Sequence, residues 1–133
     1  MTVVFIIGVL AAIAMIGYHG YVEKAKIVTV KNELNMLEKE IYAYGIDNSV
    51  LYPPDLAAID YGGFLDPWNR PYVYEPDLTI APRTRGGAPV NTDYDLYSIG
   101  RDGQSVQDID APQSQDDLIR AGDGAYKGFP KGY

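Results

Sequence analysis

Residues Met1 to Tyr18 form an almost unbroken apolar run that passes, without a turn signal, into the charged segment Tyr21-Val22-Glu23-Lys24-Ala25-Lys26. A helix that is apolar on every side needs a bilayer or other helices around it, and a chain of 133 residues has too little other material to wrap one. Val3 through Ile16 carries no charge, yet it makes only about 21 Å of helix against a hydrocarbon core of roughly 30 Å. Counting from Met1 to Tyr18 brings the run close to a spanning length. The helical pattern continues past the point where a secretory signal would be cleaved, so a retained helix is the expectation.

Beyond Glu23 the pattern becomes one-sided. Ile27, Val30, Leu34, Leu37, Ile41 and Tyr44 recur at alternating intervals of three and four, while Lys24, Lys31, Glu38 and Lys39 fall elsewhere on the wheel. No proline interrupts Met1 to Asp47, and Gly45 to Asn48 supplies a stop. The expected element is therefore one helix of about 45 residues, roughly 65 to 70 Å long, whose first half projects from the domain that covers its second. Gly8, Gly17 and Gly20 are its weak points. The division is residues 1–22, an apolar helix half, and residues 23–133, a globular domain.

The domain reads as α+β. Asp66-Pro67-Trp68-Asn69-Arg70-Pro71 is a turn, and Tyr72-Val73-Tyr74 and Tyr94 to Ile99 read as two antiparallel strands laid on the helix stripe. Between them, Pro76 to Asn91 is rich in proline and glycine and is expected as a long exposed loop. Tyr42, Tyr44, Tyr72, Tyr74, Tyr94 and Tyr97, from a total of 12 tyrosines, are expected to cover a thin core and keep their hydroxyls wet.

Composition excludes several functions. No Ser-His-Asp set, phosphate-binding glycine loop or dinucleotide fingerprint is present, and the single His19 has no nucleophile beside it. The chain is thus expected not to be an enzyme. A net charge of −7 argues against nucleic acid as a partner, since phosphate neutralisation needs clustered lysine and arginine.

A small domain with no cysteine cannot be stapled by a disulfide, and a metal is the natural substitute. From Asp93 to Asp123 the chain adds Asp95, Asp102, Asp108, Asp110, Asp116 and Asp117 among glycine, serine and glutamine. Calcium takes six to eight oxygen ligands of those kinds, whereas transition metals want histidine or cysteine. By composition alone, a solvated acidic loop remains the simpler reading.

The run Gly8-Val9-Leu10-Ala11-Ala12-Ile13-Ala14-Met15, followed by Tyr18, Tyr21 and Glu23-Lys24-Ala25, resembles the N-terminal helix of type IV pilins and type II secretion pseudopilins. Ile46-Asp47-Asn48-Ser49, Tyr52-Pro53, Leu65-Asp66-Pro67-Trp68, Pro71-Tyr72, Asp95 to Gly103 and Asp116-Asp117 are similar in order and type to the major pseudopilin. Pro76 to Asn91 and Gly122 to Tyr133 have no counterpart, and Ile16 stands where the family has proline. The family's glutamate and Phe-Thr-Leu-Ile-Glu start are not matched, which implies that the mature polypeptide begins a few residues earlier.

The resemblance implies a pilin-like fold, with the long helix packed on a small antiparallel sheet. It implies a helix held first in the bacterial inner membrane and then packed, through Gly8, Ala11, Ala12, Ala14, Tyr18 and Tyr21, in a homopolymeric filament that is periplasmic or extracellular. The implied partners are the chain itself, an inner-membrane assembly platform and a prepilin peptidase. It also implies calcium, with Asp102 and Asp116 as side-chain ligands, Ser114 as the serine ligand, and Ile99 and Gln104 as carbonyl donors. Gly103 and Asp116 lie further apart than the family spacing, so Asp108, Asp110 or Asp117 are candidate replacements. A pseudopilus acting in protein export, a surface pilus and a membrane-anchored monomeric binding module are the three functions these features leave open.

Overall fold

The computed structural model describes the backbone of residues 1–133 and the side chains of all but residues 14–17. A single helix, α1, runs from Thr2 to Asn48. It ends where Ser49 turns left-handed at φ 55°, with the Ser49 and Val50 amides donating to the Gly45 carbonyl. Gly45 is buried there, and a Cβ on it would lie 2.8 Å from the Leu51 carbonyl oxygen. The chain doubles back over the helix end only because that position has no side chain.

Six short strands follow: β1 (Val73–Glu75), β2 (Thr84–Arg85), β3 (Ala88–Pro89), β4 (Asp95–Ser98), β5 (Leu118–Ala121) and β6 (Tyr126–Gly128). β1-β4-β5-β6 form one antiparallel sheet, with Val73 opposite Tyr97, Tyr97 opposite Ile119, and Ile119 opposite Gly128. β2 and β3 form a separate hairpin. The fold is α+β: one long N-terminal helix packed on a small antiparallel sheet of four strands.

The helix stripe behaves as its spacing requires. Val30, Leu34, Leu37 and Ile41 are fully buried and join Leu96 and Leu118 from the sheet, and Tyr72 and Tyr94 just before β1 and β4, in one core. The opposite sheet face holds a second cluster, in which Val90 and Ile109 pack on Ile119 and Ala121. The sheet is therefore a middle layer, covered by α1 on one side and by the insert and acidic segment on the other.

This layering corrects two expectations. Pro76 to Asn91 is not simply an exposed loop: it contains the β2–β3 hairpin, and Arg83, Val90 and Asn91 are buried. The tail is tied in as well, since Arg85 pairs with Asp110 at 3.0 Å, donates to the Pro130 carbonyl and lies over the Tyr133 ring. The tyrosines differ from expectation at three positions, the first being Tyr74, whose hydroxyl donates to the Pro53 carbonyl at 3.0 Å. Tyr72 donates to Glu33 rather than to water, and the buried Tyr94 hydroxyl has no hydrogen-bond partner. Burial pushes the pKa of all three phenols up, and Glu33 adds to the rise at Tyr72.

Candidate functional site

Two regions bear on function, the uncovered half of α1 and the acidic loops at one end of the sheet. From Met1 to Ile13 every residue of the helix is exposed, including Phe5 at 74%, Leu10 at 61% and Ile13 at 63%. Gly8, Ala11 and Ala12 lie in this bare stretch, Tyr18 and Tyr21 are exposed just beyond it, and Ala14 falls among the side chains outside the described set. No Cβ added at Gly8 would meet another atom. The helix is long and apolar enough to cross a membrane by length and composition.

The acidic segment sorts into different roles. Asp102 and Asp116 come together: the Asp102 amide donates to Asp116 Oδ2 at 2.9 Å, and Asp102 Oδ1 accepts from the Gln104 amide at 2.8 Å. Ile99 and Gln104 bracket the same loop. Ser114 is turned inward, its hydroxyl bridging the amide and carbonyl of Val106. Asp117 is buried, with Oδ2 accepting from Arg83 Nη2 at 2.6 Å and from Ser105 Oγ at 2.7 Å. Burial pushes its carboxyl up to about 6, opposed by the hydrogen bond from Ser105 and the Arg83 charge. Asp108 and Asp110 are exposed, and Asp110 serves the Arg85 pair.

Asp102 and Asp116, with loop carbonyls, suit a hard oxygen-seeking cation. Ser114 and Asp117 differ from that pair in being buried, the Ser114 hydroxyl bonded to Val106 and Asp117 paired through Oδ2 with Arg83, while Asp117 Oδ1 has no hydrogen-bond partner among the described residues. Among the described residues, no group of three or more histidine, cysteine, aspartate or glutamate side chains is placed to hold a metal.

Gly100 sets the loop geometry. Its φ is +65°, and a Cβ on it would lie 2.2 Å from the Asp116 carbonyl oxygen and 2.7 Å from Asp116 Oδ2. Gly100→Ala adds left-handed strain to a backbone clash that no side-chain rotation relieves. It is expected to destabilise by about 3 kcal/mol, read by thermal melting, and to separate Asp102 from Asp116.

The carboxylates that composition grouped with the loop include buried Asp95 and partly buried Asp93, which stabilise the fold. Asp95 accepts from the Arg83 amide and from Asn91 Nδ2, and burial raises its pKa against those two bonds. Asp93 pairs with Arg120. Arg120 lies 27 residues from Asp93, and Asp95 is held by the Arg83 backbone, so the local sequence pattern carries no signal for either contact.

Comparison with family models, with curated proteins and with solved structures finds no match for this chain.

Proposed function

We propose that this protein is a structural subunit that polymerises through its apolar helix half into a helical, type IV pilus-like filament of the major pseudopilin type. The observation that carries the reading is the contrast within one helix. Its second half buries the stripe Val30, Leu34, Leu37 and Ile41 in the domain core, while residues 2–13 are exposed throughout. Such a surface needs a cover, and two are available in succession, lipid and then the same helix of neighbouring copies. Leaving lipid for protein gains little hydrophobic energy, so the packing contribution must come from close approach at Gly8, Ala11 and Ala12. Head-to-tail contacts that do not close on themselves yield filaments rather than rings.

The test is direct. Electron micrographs of the full chain after detergent removal, and of material sheared from cells that carry the assembly machinery, are expected to show filaments. Solitary particles in both preparations would leave a membrane-anchored monomer as the function, and abundant long fibres in the sheared fraction would make it a surface pilus.

Calcium at Asp102 and Asp116 belongs to the same proposal and has its own test. A ligand held only by the folded state at about a hundred times its Kd stabilises by about 2.7 kcal/mol. Adding chelator to the full chain in detergent is then expected to lower the melting temperature by several degrees, and Asp116→Asn to remove the difference. A melting temperature indifferent to chelator takes the metal out of the proposal.

A further inference from the structure

The helix and sheet are held in register by contacts that order the domain by height above the apolar helix half. Lys26 Nζ lies 5.8 Å from the Trp68 ring centre, Tyr72 reaches Glu33, Arg120 reaches Glu38, and Tyr94 meets Tyr42. The turn from Asp66 to Pro71 is therefore at the end nearest Tyr21. Arg70 Nη2 donates to the Arg101 carbonyl at 2.8 Å, which brings the loop from Ile99 to Gln104 to the same end. Arg101 shares an open depression with Asp116, and Asp116 shares another with Lys31 and Lys131.

Charge is unevenly divided along this axis. Lys24, Lys26, Lys31, Arg70, Arg101 and Lys131 sit at the near end, six of the chain's 11 basic residues. Opposing them there are Glu23, Glu33, Asp66, Asp102 and Asp116, five of its 18 acidic residues, so this end carries a slight surplus of positive charge within a chain of net −7. The pairing differs too. Away from this end, Arg83, Arg85, Arg120 and Lys127 are in ion pairs, and Lys39 is exposed and unpaired among the described residues. At the near end, among the described residues, Lys26 alone has a carboxylate partner, Glu23 at 3.6 Å.

We propose that the end of the domain beside the apolar helix half docks on anionic phospholipid headgroups, with Lys24, Lys26, Arg70 and Arg101 meeting phosphates and Trp68 lying at headgroup level. The inference rests on the membrane-resident state proposed above. Lys24 and Lys26 follow Tyr21 by about 5 and 8 Å of helix, within the distance over which an anionic surface acts at physiological salt. An acidic protein could use the same cations, but continuity with a membrane-length helix favours the lipid. An aromatic ring beside such cations is the usual composition of a membrane-water boundary.

Trp68 is the single tryptophan of the chain, so its fluorescence reports on this end alone. The full-length protein, reconstituted in phosphatidylcholine vesicles with and without phosphatidylglycerol, is probed with a headgroup-attached quencher. Quenching of Trp68 is expected to be about twofold or more stronger with phosphatidylglycerol, and to lose that excess at high salt. Lys24→Gln with Arg101→Gln, both exposed, is expected to abolish the excess without lowering the melting temperature. Quenching indifferent to phosphatidylglycerol, in protein that resists alkaline carbonate extraction, overturns the docking face while leaving the membrane helix standing. Protein that carbonate extracts overturns both.

Discussion

Ala12→Arg is expected to abolish filaments while leaving the melting temperature of the domain unchanged. Ala12 is exposed and lies eighteen residues before Val30, the first fully buried position of the core stripe, so the substitution cannot reach that core. In a filament the same position would face neighbouring helices in a dry contact, where a guanidinium has neither water nor a carboxylate. The cost of an arginine at the middle of a spanning helix is about 2.5 to 3.5 kcal/mol on insertion scales, so loss of filaments could also arise from poor insertion. Ala12→Leu separates the two causes. It is at least as soluble in lipid as alanine, but its bulk prevents close helix approach, with an overpacking penalty of about 1 to 3 kcal/mol at each contact. Filament yield from Ala12→Leu, counted in micrographs, is expected to fall at least about tenfold with membrane insertion intact. Normal filaments from both variants would remove close packing from the proposed assembly.

Much of the fold was legible because its strongest signals are local. The apolar stripe of α1 repeats over many turns, and Val30, Leu34, Leu37 and Ile41 are buried as that repeat demands. β1 and β4 were legible through their alternating aromatic and polar residues, and they pair as expected. β5 was not, and the reason is its place in the middle layer. Leu118, Ile119, Arg120 and Ala121 are all buried, so the strand has no polar face to produce alternation, and Arg120 reads as a surface residue. The buried part of the insert was not legible for a related reason. Its prolines and glycines describe the turns correctly but say nothing of Val90 packing against Ile119 and Ala121.

The candidate site was legible in part. Asp102 and Asp116 meet across a loop whose glycines and aspartates mark it as a tight turn. Asp93, Asp95 and Asp117 share its composition but not its role, because each is held by an arginine or its backbone from a distant segment. Net acidity along a stretch of chain therefore overstated the number of carboxylates free to take a cation.

Arg120→Ala is expected to be the most destabilising single change, through the charges it strands. The Arg120 side chain is fully buried and holds three elements together. Nε donates to Glu38 on α1 at 2.7 Å, both terminal nitrogens reach Asp93, and the guanidinium lies 4.1 Å from the Tyr94 ring centre. Removing one partner of a buried ion pair costs about 3 to 5 kcal/mol, because the remaining charge keeps its desolvation and loses its compensation. For a domain of this size that lowers the melting temperature by about 15 °C or more. Lys127 stays with Glu38 at 2.7 Å, so Asp93 is the carboxylate left most exposed to the loss. Adding Asp93→Asn and Glu38→Gln to Arg120→Met takes away the stranded charges and is expected to recover at least half of the deficit. No recovery would mean that the arginine acts by packing alone. Acid gives a second reading of the same cluster. Burial would raise the Glu38 pKa, but hydrogen bonds and charge from Lys127 and Arg120 outweigh it and hold the carboxyl below its ordinary value of 4.5. A folded pKa below the unfolded one contributes stability that is fully present above the unfolded value and disappears as pH falls through the folded one. The native protein should therefore lose this contribution on acidification below about pH 4.5. In Arg120→Ala the downward pull is weaker and protonation relieves the stranded carboxylates, so the gap in melting temperature between the two proteins should narrow as pH falls. A gap that is constant from neutral to acid pH would show that these carboxylates are not what Arg120 stabilises.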